Sequence, residues 1–366
     1  MNKIYCVVIH RYDLIFFYRL KSFFKTNKKN YLIELVIPSR LYKDKRLIQF
    51  VEKYFETALI IPTYFSDEQN LAKKIYQIYR LKFWVRSFMD KNNKLILLDK
   101  SAPLSRMFLN EFKSSILIQQ VEFVCNTYKF DYLGFLKDFF KSVIYGSKLI
   151  KHYKIKESNN HMRYLKFFEK NKPKIIFQTN NKFIKNSFHL PKIEINERSH
   201  KIAIFGNRFL SWEFFKEKKK KDFEHKILNI YKIIYKKYQK NHQFIYIKHP
   251  RETGDEFNLL KKIFKNTLEL DEKHISSEAF LIENRDIERT FSINSTSSHS
   301  SYSMGFKSKV FYKMLDLNSV VSKVYDDIFN GLPKEFFANS TNQLFTDCIR
   351  SEEFKMNNLE NILLDA

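Results

Sequence analysis

The chain is poor in the residues that punctuate and staple a fold: its 366 residues hold only 6 glycines, 7 prolines and 3 cysteines. Cys6, Cys125 and Cys348 are widely separated and form no Cys-x-x-Cys, which speaks against a disulfide framework or a zinc knuckle and fits a reducing compartment. No apolar run approaches the roughly 18 residues a spanning helix requires. The N-terminal "MNKIYCVVIHRYD" lacks the long apolar stretch and small-residue cleavage site of a secretory signal and reads as a strand. A cytoplasmic protein is expected, at most resting peripherally on the inner membrane. Asp-x-Asp, a common aspartate clamp for a divalent ion on a diphosphate, is absent, and no metal or resident cofactor is expected. Acidic residues are also scarce, 40 against 65 Lys and Arg.

That imbalance gives a net charge of +25 and favours anionic partners: nucleic acid, an acidic membrane surface, or phosphorylated and carboxylated substrates. The abundance of Lys, Asn, Ile, Phe and Tyr is also what an AT-rich genome writes, so the charge alone does not choose a partner. A nucleic-acid-binding protein would explain the charge and the 17% aromatic content. However, the aromatics fall on helical and strand periods, as core residues do, and no RNP, KH or zinc-finger pattern occurs, so no nucleic-acid partner is expected. Hydrophobic residues at 44% and charged residues at 29% are ordinary for a packed globular chain.

At about 100–200 residues per domain, the length predicts two domains. In the first half, short apolar runs alternate with amphipathic stretches: "IYCVVIH", "YLIELVIP", "ALIIPTYF", "KLILLD" and "SILIQQ" are each separated by helical patterns, and "KPKIIFQTN" reads as one more strand. Such alternation predicts βα units on a mostly parallel sheet. "NSFHLPKIEINERSH" is polar and aperiodic and reads as a link. A second series follows: strand "KIAIFGN", a long helix with Phe223, Ile227, Ile230, Ile234 and Tyr238 on one stripe, strand "QFIYIKHP", shorter elements, strand "RTFSI", and strand "KVFY". The expected fold class is α/β and GT-B-like: two doubly wound, Rossmann-like domains facing a central cleft. The expected boundaries are 1–185 for an acceptor-side domain, 200–335 for a nucleotide-sugar-binding domain, and 336–366 for C-terminal helices crossing back.

Two stretches carry candidate chemistry. In "FIYIKHPRE", the residue before a proline is pushed out of the α region, so His249 extends the strand and stops at the carboxyl edge of the sheet, where ligands of open α/β folds collect. With Lys248 and Arg251 beside it, its imidazole would offset charge growing on a departing phosphate. Taken alone, a histidine at a strand end is commonly a plain surface residue. In "SINSTSSHSSYSMG", hydroxyls and N–H groups gather after a strand and at a helix start, a phosphate cradle without glycines. Ser295 and Thr296 are its candidate donors, with Ser297 sharing the role; a helix cap in a serine-rich turn is the plainer reading. Glu278, in "SSEAFLI", would accept from ribose hydroxyls, and Gly206, in "IFGNR", would let a loop come close.

The succession "KIAIFGN", long helix, "YIKHPRE", "SSEAFLI", "SINSTSSHSSYSMGFKSKVFY" resembles the bacterial sialyltransferase and polysialyltransferase families, best over residues 200–312. In those families an HP motif and a Ser-Ser/Thr motif hold the phosphate of CMP-sialic acid, a role the resemblance carries onto His249, Ser295 and Thr296. The families also carry an acidic pair followed by glycine, whose acid is the base. In "VEFVCNTY", Glu122 matches the first acid, but Phe123 and Val124 replace the rest, leaving Asp99 or Asp131 as alternatives. The resemblance implies an inverting glycosyltransferase that moves sialic acid or a related nonulosonic acid from a CMP-linked donor to a glycan acceptor, a lipooligosaccharide or capsular polymer. The basic surface would then hold it near an anionic membrane surface. A teichoic-acid-type polyol-phosphate transferase using a CDP-polyol is the alternative.

Overall fold

The computed structural model describes residues 2–26, 31–61, 71–90, 93–112, 114–119, 128–155, 163–168, 170, 174–178, 187–188, 190, 192–196, 200–211, 217–250, 252, 254–317 and 319–350. The chain divides into two compact units that part between residues 189 and 190.

The first unit runs β1 (Asn2–Val7), α1 (Asp13–Thr26), β2 (Tyr31–Pro38), α2 (Lys45–Tyr54), β3 (Ala58–Ile61), α3 (Leu71–Phe88), β4 (Lys94–Leu97), α4 (Pro103–Glu111), β5 (Ser115–Gln119), β6 (Tyr128–Phe130), α5 (Tyr132–Tyr145), β7 (Ile150–Ile155), β8 (Arg163–Phe167), β9 (Lys174–Gln178) and β10 (Ser187–Phe188). Its main sheet is parallel, in the order β10-β9-β5-β4-β1-β2-β3. The apolar runs form its centre because a parallel strand is covered on both faces: Ile4, Cys6, Val7, Leu35, Ile96 and Leu117 are all inaccessible. The expected link begins with β10, which extends this sheet by pairing with β9.

Between β5 and β9 the chain makes an antiparallel sheet, β6-β7-β8, with α5 packed on β7. Its anchor is ionic. Arg106 of α4 is fully buried and grips Asp138 of α5 through both terminal nitrogens, at 2.7 and 2.5 Å. Arg106 also donates to Ser142 Oγ and to the carbonyl of Lys148. Burial alone would raise the Asp138 carboxyl, but His152 and the Arg106 guanidinium outweigh it and bring it down to about 2.

The second unit runs β11 (Lys201–Phe205), α6 (Glu217–Tyr238), β12 (Gln243–Ile247), α7 (Asp255–Phe264), β13 (Leu268–Asp271), α8 (Ser277–Glu283), β14 (Ile287–Ser292), α9 (Thr296–Met304), β15 (Lys307–Val310) and α10 (Ser319–Ile328). The sheet is parallel, in the order β13-β12-β11-β14-β15. The α6 stripe Phe223, Ile227, Ile230, Ile234 and Tyr238 is buried against Ile202, Ile204, Phe244 and Phe291 of the sheet.

Of the 336–366 stretch expected to be helical, residues 336–350 are not α-helical. They make short 3-10 turns and belong to the second core: Phe336, Ala338, Leu344 and Cys348 are buried there, and Ala338 N–H bonds the carbonyl of Val310. Residues 351–366 lie outside the described residues. No described helix is long and apolar enough to cross a membrane.

Candidate functional site

In the second sheet the order reads third, second, first, fourth, fifth, so the crossover direction reverses between β11 and β14. The loops leaving the carboxyl ends of those two strands diverge, and a ligand finds room there. Three of the candidate segments lie at this edge on neighbouring strands: Gly206 follows β11, Lys248 and His249 follow β12, and Ser295 follows β14. With adjacent strands about 4.8 Å apart, the ends of β12 and β14 are separated by roughly 10 Å.

Hydrogen bonds tie the loops together. Gly206 N–H donates to the carbonyl of Ile247 at 2.8 Å. Next in sequence, the Asn207 side chain donates to Asn294 Oδ1, so the loops after β11 and β14 are bridged across the switch point. The His249 carbonyl accepts from Glu252 N–H at 3.0 Å, which closes a turn over Pro250 and leaves His249 half-buried at its start. Lys248 is exposed, and its Nζ lies beside Gly254, the N-cap of α7. Arg251 lies outside the described residues.

Gly206 has a different reason to be glycine from the one expected. A Cβ there would stand 2.3 Å from Glu252 Oε1, 2.8 Å from the His249 nitrogen and 2.8 Å from Tyr246 Oη. The backbone is pressed against the turn that carries His249, which excludes any side chain. Glu252, which the sequence did not single out, is buried beneath this turn and accepts from Tyr246 Oη at 2.8 Å; its Oε1 has no hydrogen-bond partner among the described residues. Burial pushes its carboxyl up to about 7; the Tyr246 hydrogen bond works against that, and Glu256 adds to it.

The serine-rich segment is a buried helix. Ser298, Ser300, Ser301 and Ser303 of α9 are buried, and Ser292–Ser298, Thr290–Ser301 and Ser301–Ser308 hydroxyl pairs at 2.7–3.1 Å fasten the helix to β14 and β15. Serines serve because their small side chains let the helix lie close to the sheet while the hydroxyls of Ser298, Ser301 and Ser303 find partners. At its N-terminus Ser295 Oγ accepts from Ser297 N–H, an N-cap, and Ser295 N–H donates to Ser292 Oγ. Ser297 Oγ is held 2.6 Å from Ser277 Oγ of α8, the neighbour of Glu278, so α8 and its half-buried glutamate sit next to the start of α9. Thr296 is exposed. Of the three hydroxyls expected to face a phosphate, Ser297 is therefore engaged between helices, while Ser295 can donate as it caps.

The first sheet repeats the design. Its order reverses between β1 and β4, and the carboxyl ends of these strands carry His10 and Asp99. Asp99 accepts from Ser101 N–H and Oγ at 2.9 and 2.6 Å and from Ala102 N–H at 2.9 Å, forming the turn that starts α4. His10 Nε2 stands 4.0 Å from Asp99 Oδ2, and its ring stacks on Tyr12. Burial lowers the His10 pKa more than Asp99 raises it. Asp13 is wholly buried behind, accepting from Ile9 and His10 N–H at 2.7 and 2.8 Å. Burial pushes its carboxyl up to about 7. Asp131, an alternative base from the sequence, caps α5 by accepting from Gly134 N–H, a structural task. Glu122 lies outside the described residues. Among the described residues no group of three or more His, Cys, Asp or Glu could hold a metal ion.

No protein-family model matches the chain, and no curated protein matches it in sequence. Solved structures do. A UDP-GlcNAc 2-epimerase from Methanocaldococcus jannaschii superposes with a TM-score of 0.50 at 10% identity, covering 100% of both chains. A UDP-GlcNAc 2-epimerase from Neisseria meningitidis, bound to UDP-GlcNAc, gives 0.47 at 12% identity over 93% of this chain and 89% of that one. A family 9 glycosyl transferase from Veillonella parvula gives 0.42 at 10% identity over 100% and 98%. The similarity to the first of these, together with the two doubly wound sheets, identifies the fold as GT-B-like: two Rossmann-like α/β units in one chain.

Proposed function

We propose that the chain is a nucleotide-sugar enzyme of the GT-B type, and more narrowly an inverting transferase of sialic acid or a related nonulosonic acid from a CMP-linked donor to a glycan. The observation that carries the reading is the gathering of the His249 turn, the Asn207–Asn294 bridge and the capped start of α9 on three adjacent strand ends at a switch point. In transfer, the bond from the anomeric carbon to the phosphate oxygen breaks as the acceptor oxygen bonds to that carbon, and CMP leaves with the electron pair. His249, the Ser295 and Thr296 hydroxyls and the positive end of α9 stabilise the phosphate as its charge grows; Glu278 holds the ribose. A nucleotide with a single phosphate suits a site built on imidazole and hydroxyls.

A base must take the acceptor proton. Glu122, three residues beyond β5, is the candidate from the motif; His10 backed by Asp99 is the pair at the first sheet's edge. The two separate by substitution: Glu122→Gln removes the first and leaves the second, and His10→Ala does the reverse.

A second reading, a sugar-nucleotide epimerase, draws on the full-length fold likeness to the M. jannaschii enzyme. A donor panel decides. CMP-sialic acid, CDP-glycerol and UDP-GlcNAc are supplied in turn, and nucleotide release and UDP-ManNAc formation are measured. CMP release from the first, lost about 10²–10³-fold in His249→Ala with an unchanged melting curve, is the expected result. Turnover of UDP-GlcNAc alone selects the epimerase, CDP-glycerol alone the polyol-phosphate reading, and full activity in His249→Ala removes the histidine from the mechanism.

A further inference from the structure

Two helices of the first unit show large apolar side chains to water. On α3, Ile78, Leu81 and Val85 are buried, but Tyr76, Tyr79, Phe83 and Phe88 stand 62–75% exposed. On α5 the arrangement is inverted: the side turned inward carries Asp138 and Ser142, both consumed by Arg106, while Leu133, Phe140 and Val143 are 65–68% exposed. A helix that buries its carboxylate and shows its phenylalanine to water is not completed by its own unit. The two helices touch, with Lys82 Nζ of α3 beside Gly146 at the end of α5, so they lie side by side on one unit. At about 150–250 Å² per aromatic side chain, the five aromatic residues among these, at roughly two-thirds exposure, present on the order of 600 Å² of apolar surface, at or above the largest patch of an ordinary monomer.

The charge around these residues is predominantly positive, although Arg86 of α3 is paired with Glu111 of α4 at 2.8 Å. The sequence of α3 contains Lys73, Lys74, Arg80, Lys82 and Arg86 and no acid at all. On α5 the single acid is the buried Asp138, and Lys137 and Lys141 are exposed next to the phenylalanines. Aromatic rings interleaved with Lys and Arg form the composition that settles at a lipid headgroup boundary, where rings enter the acyl edge and ammonium groups pair with lipid phosphates. A second copy of the same face would bring like charges together and is disfavoured. We propose that the α3–α5 face is a docking surface for an anionic lipid bilayer, on which the protein lies without spanning it. The assignment is independent of the reaction catalysed and needs no donor to be tested.

Full-length protein is sedimented with vesicles of phosphatidylcholine alone and with vesicles containing phosphatidylglycerol, near physiological ionic strength. Binding to the anionic vesicles only is expected. Each basic residue near such a surface is worth about fivefold in partitioning, so Lys137→Gln with Lys141→Gln lowers binding by about 25-fold. Phe83→Ser with Phe140→Ser lowers it without changing charge; both residues are exposed, and the melting curve stays put. The matched pair Lys232→Gln with Lys236→Gln, on exposed positions of α6 in the other unit, leaves binding unchanged. The proposal is overturned by absence of binding to anionic vesicles, by an equal loss in the α6 pair, by indifference to the serine pair, or by sedimentation velocity showing a dimer that the serine pair dissolves. The last result would make the face an interface between copies.

Discussion

Replacing Glu252 by glutamine should make the second unit more stable at alkaline pH and leave it nearly unchanged at acid pH. The carboxyl is buried under the His249 turn, and its folded pKa is raised from 4.5 to about 7. Between these values the folded chain keeps a proton that the unfolded chain has released, so stability falls as pH rises. The contribution is whole below about 4.5 and gone above about 7. A difference of 2.5 units (7 − 4.5) at 1.36 kcal/mol each sets an upper bound of about 3 kcal/mol. Glutamine keeps the shape, and its carbonyl oxygen can still accept from Tyr246 Oη, but it does not titrate. Calorimetry of wild type and Glu252→Gln from pH 5 to pH 8 is the assay. At about 2–4 °C per kcal/mol for a unit of this size, the melting temperature of the variant should gain as much as roughly 6–12 °C on wild type across that range. Asp13 also titrates upward, in the first unit, but cancels in the difference between the two proteins. A difference that is flat with pH, or that favours wild type increasingly at pH 8, refutes the argument that Glu252 is folded with its proton on.

Two further substitutions test the packing of the sites. Gly206→Ala drives a methyl into Glu252, the His249 nitrogen and Tyr246 Oη, and should cost about 1–3 kcal/mol in a thermal melt; an unchanged melting temperature would mean the turn yields freely. Asp138→Ala strands the Arg106 guanidinium in the core of the first unit and should cost about 3–5 kcal/mol by denaturant titration, with a loss below 1 kcal/mol counting against the ion pair as the anchor of α5.

What the sequence disclosed followed from how burial writes itself into hydrophobicity. The α6 stripe and the runs "IYCVVI", "KIAIF" and "FIYI" were legible because each side of these elements meets one kind of neighbour. The position of His249 was legible too, since the following proline restricts it by local sterics. The β6–α5–β7–β8 insertion is not legible in the sequence. Its strands, such as "IKHYKI", mix apolar with charged residues without a clean period of two, and α5 carries its polar residues inward, against the usual amphipathic rule. Glu252 and Asp13 were invisible because nothing local distinguishes a buried carboxylate from a solvated one. His10 and Asp99 lie 89 positions apart, as do Asn207 and Asn294 at 87, and only strand order brings such residues together. The serine run reads as a serine-rich turn with a helix ending at Gly305, and that helix is present with Gly305 as its C-cap; what its low complexity hides is the close helix–sheet packing that demands small side chains.

Arg350 closes the second unit on itself. Its guanidinium donates to the carbonyls of Leu190 and Ser303 at 2.8 and 2.7 Å, so the chain enters and leaves this unit at one spot. A module with adjacent ends is portable: it can be excised at 190 and 350, permuted, or inserted into a host loop with little added linker. A cut at 335, by contrast, would strip Phe336, Ala338, Leu344 and Cys348 from its interior and leave a fragment that aggregates.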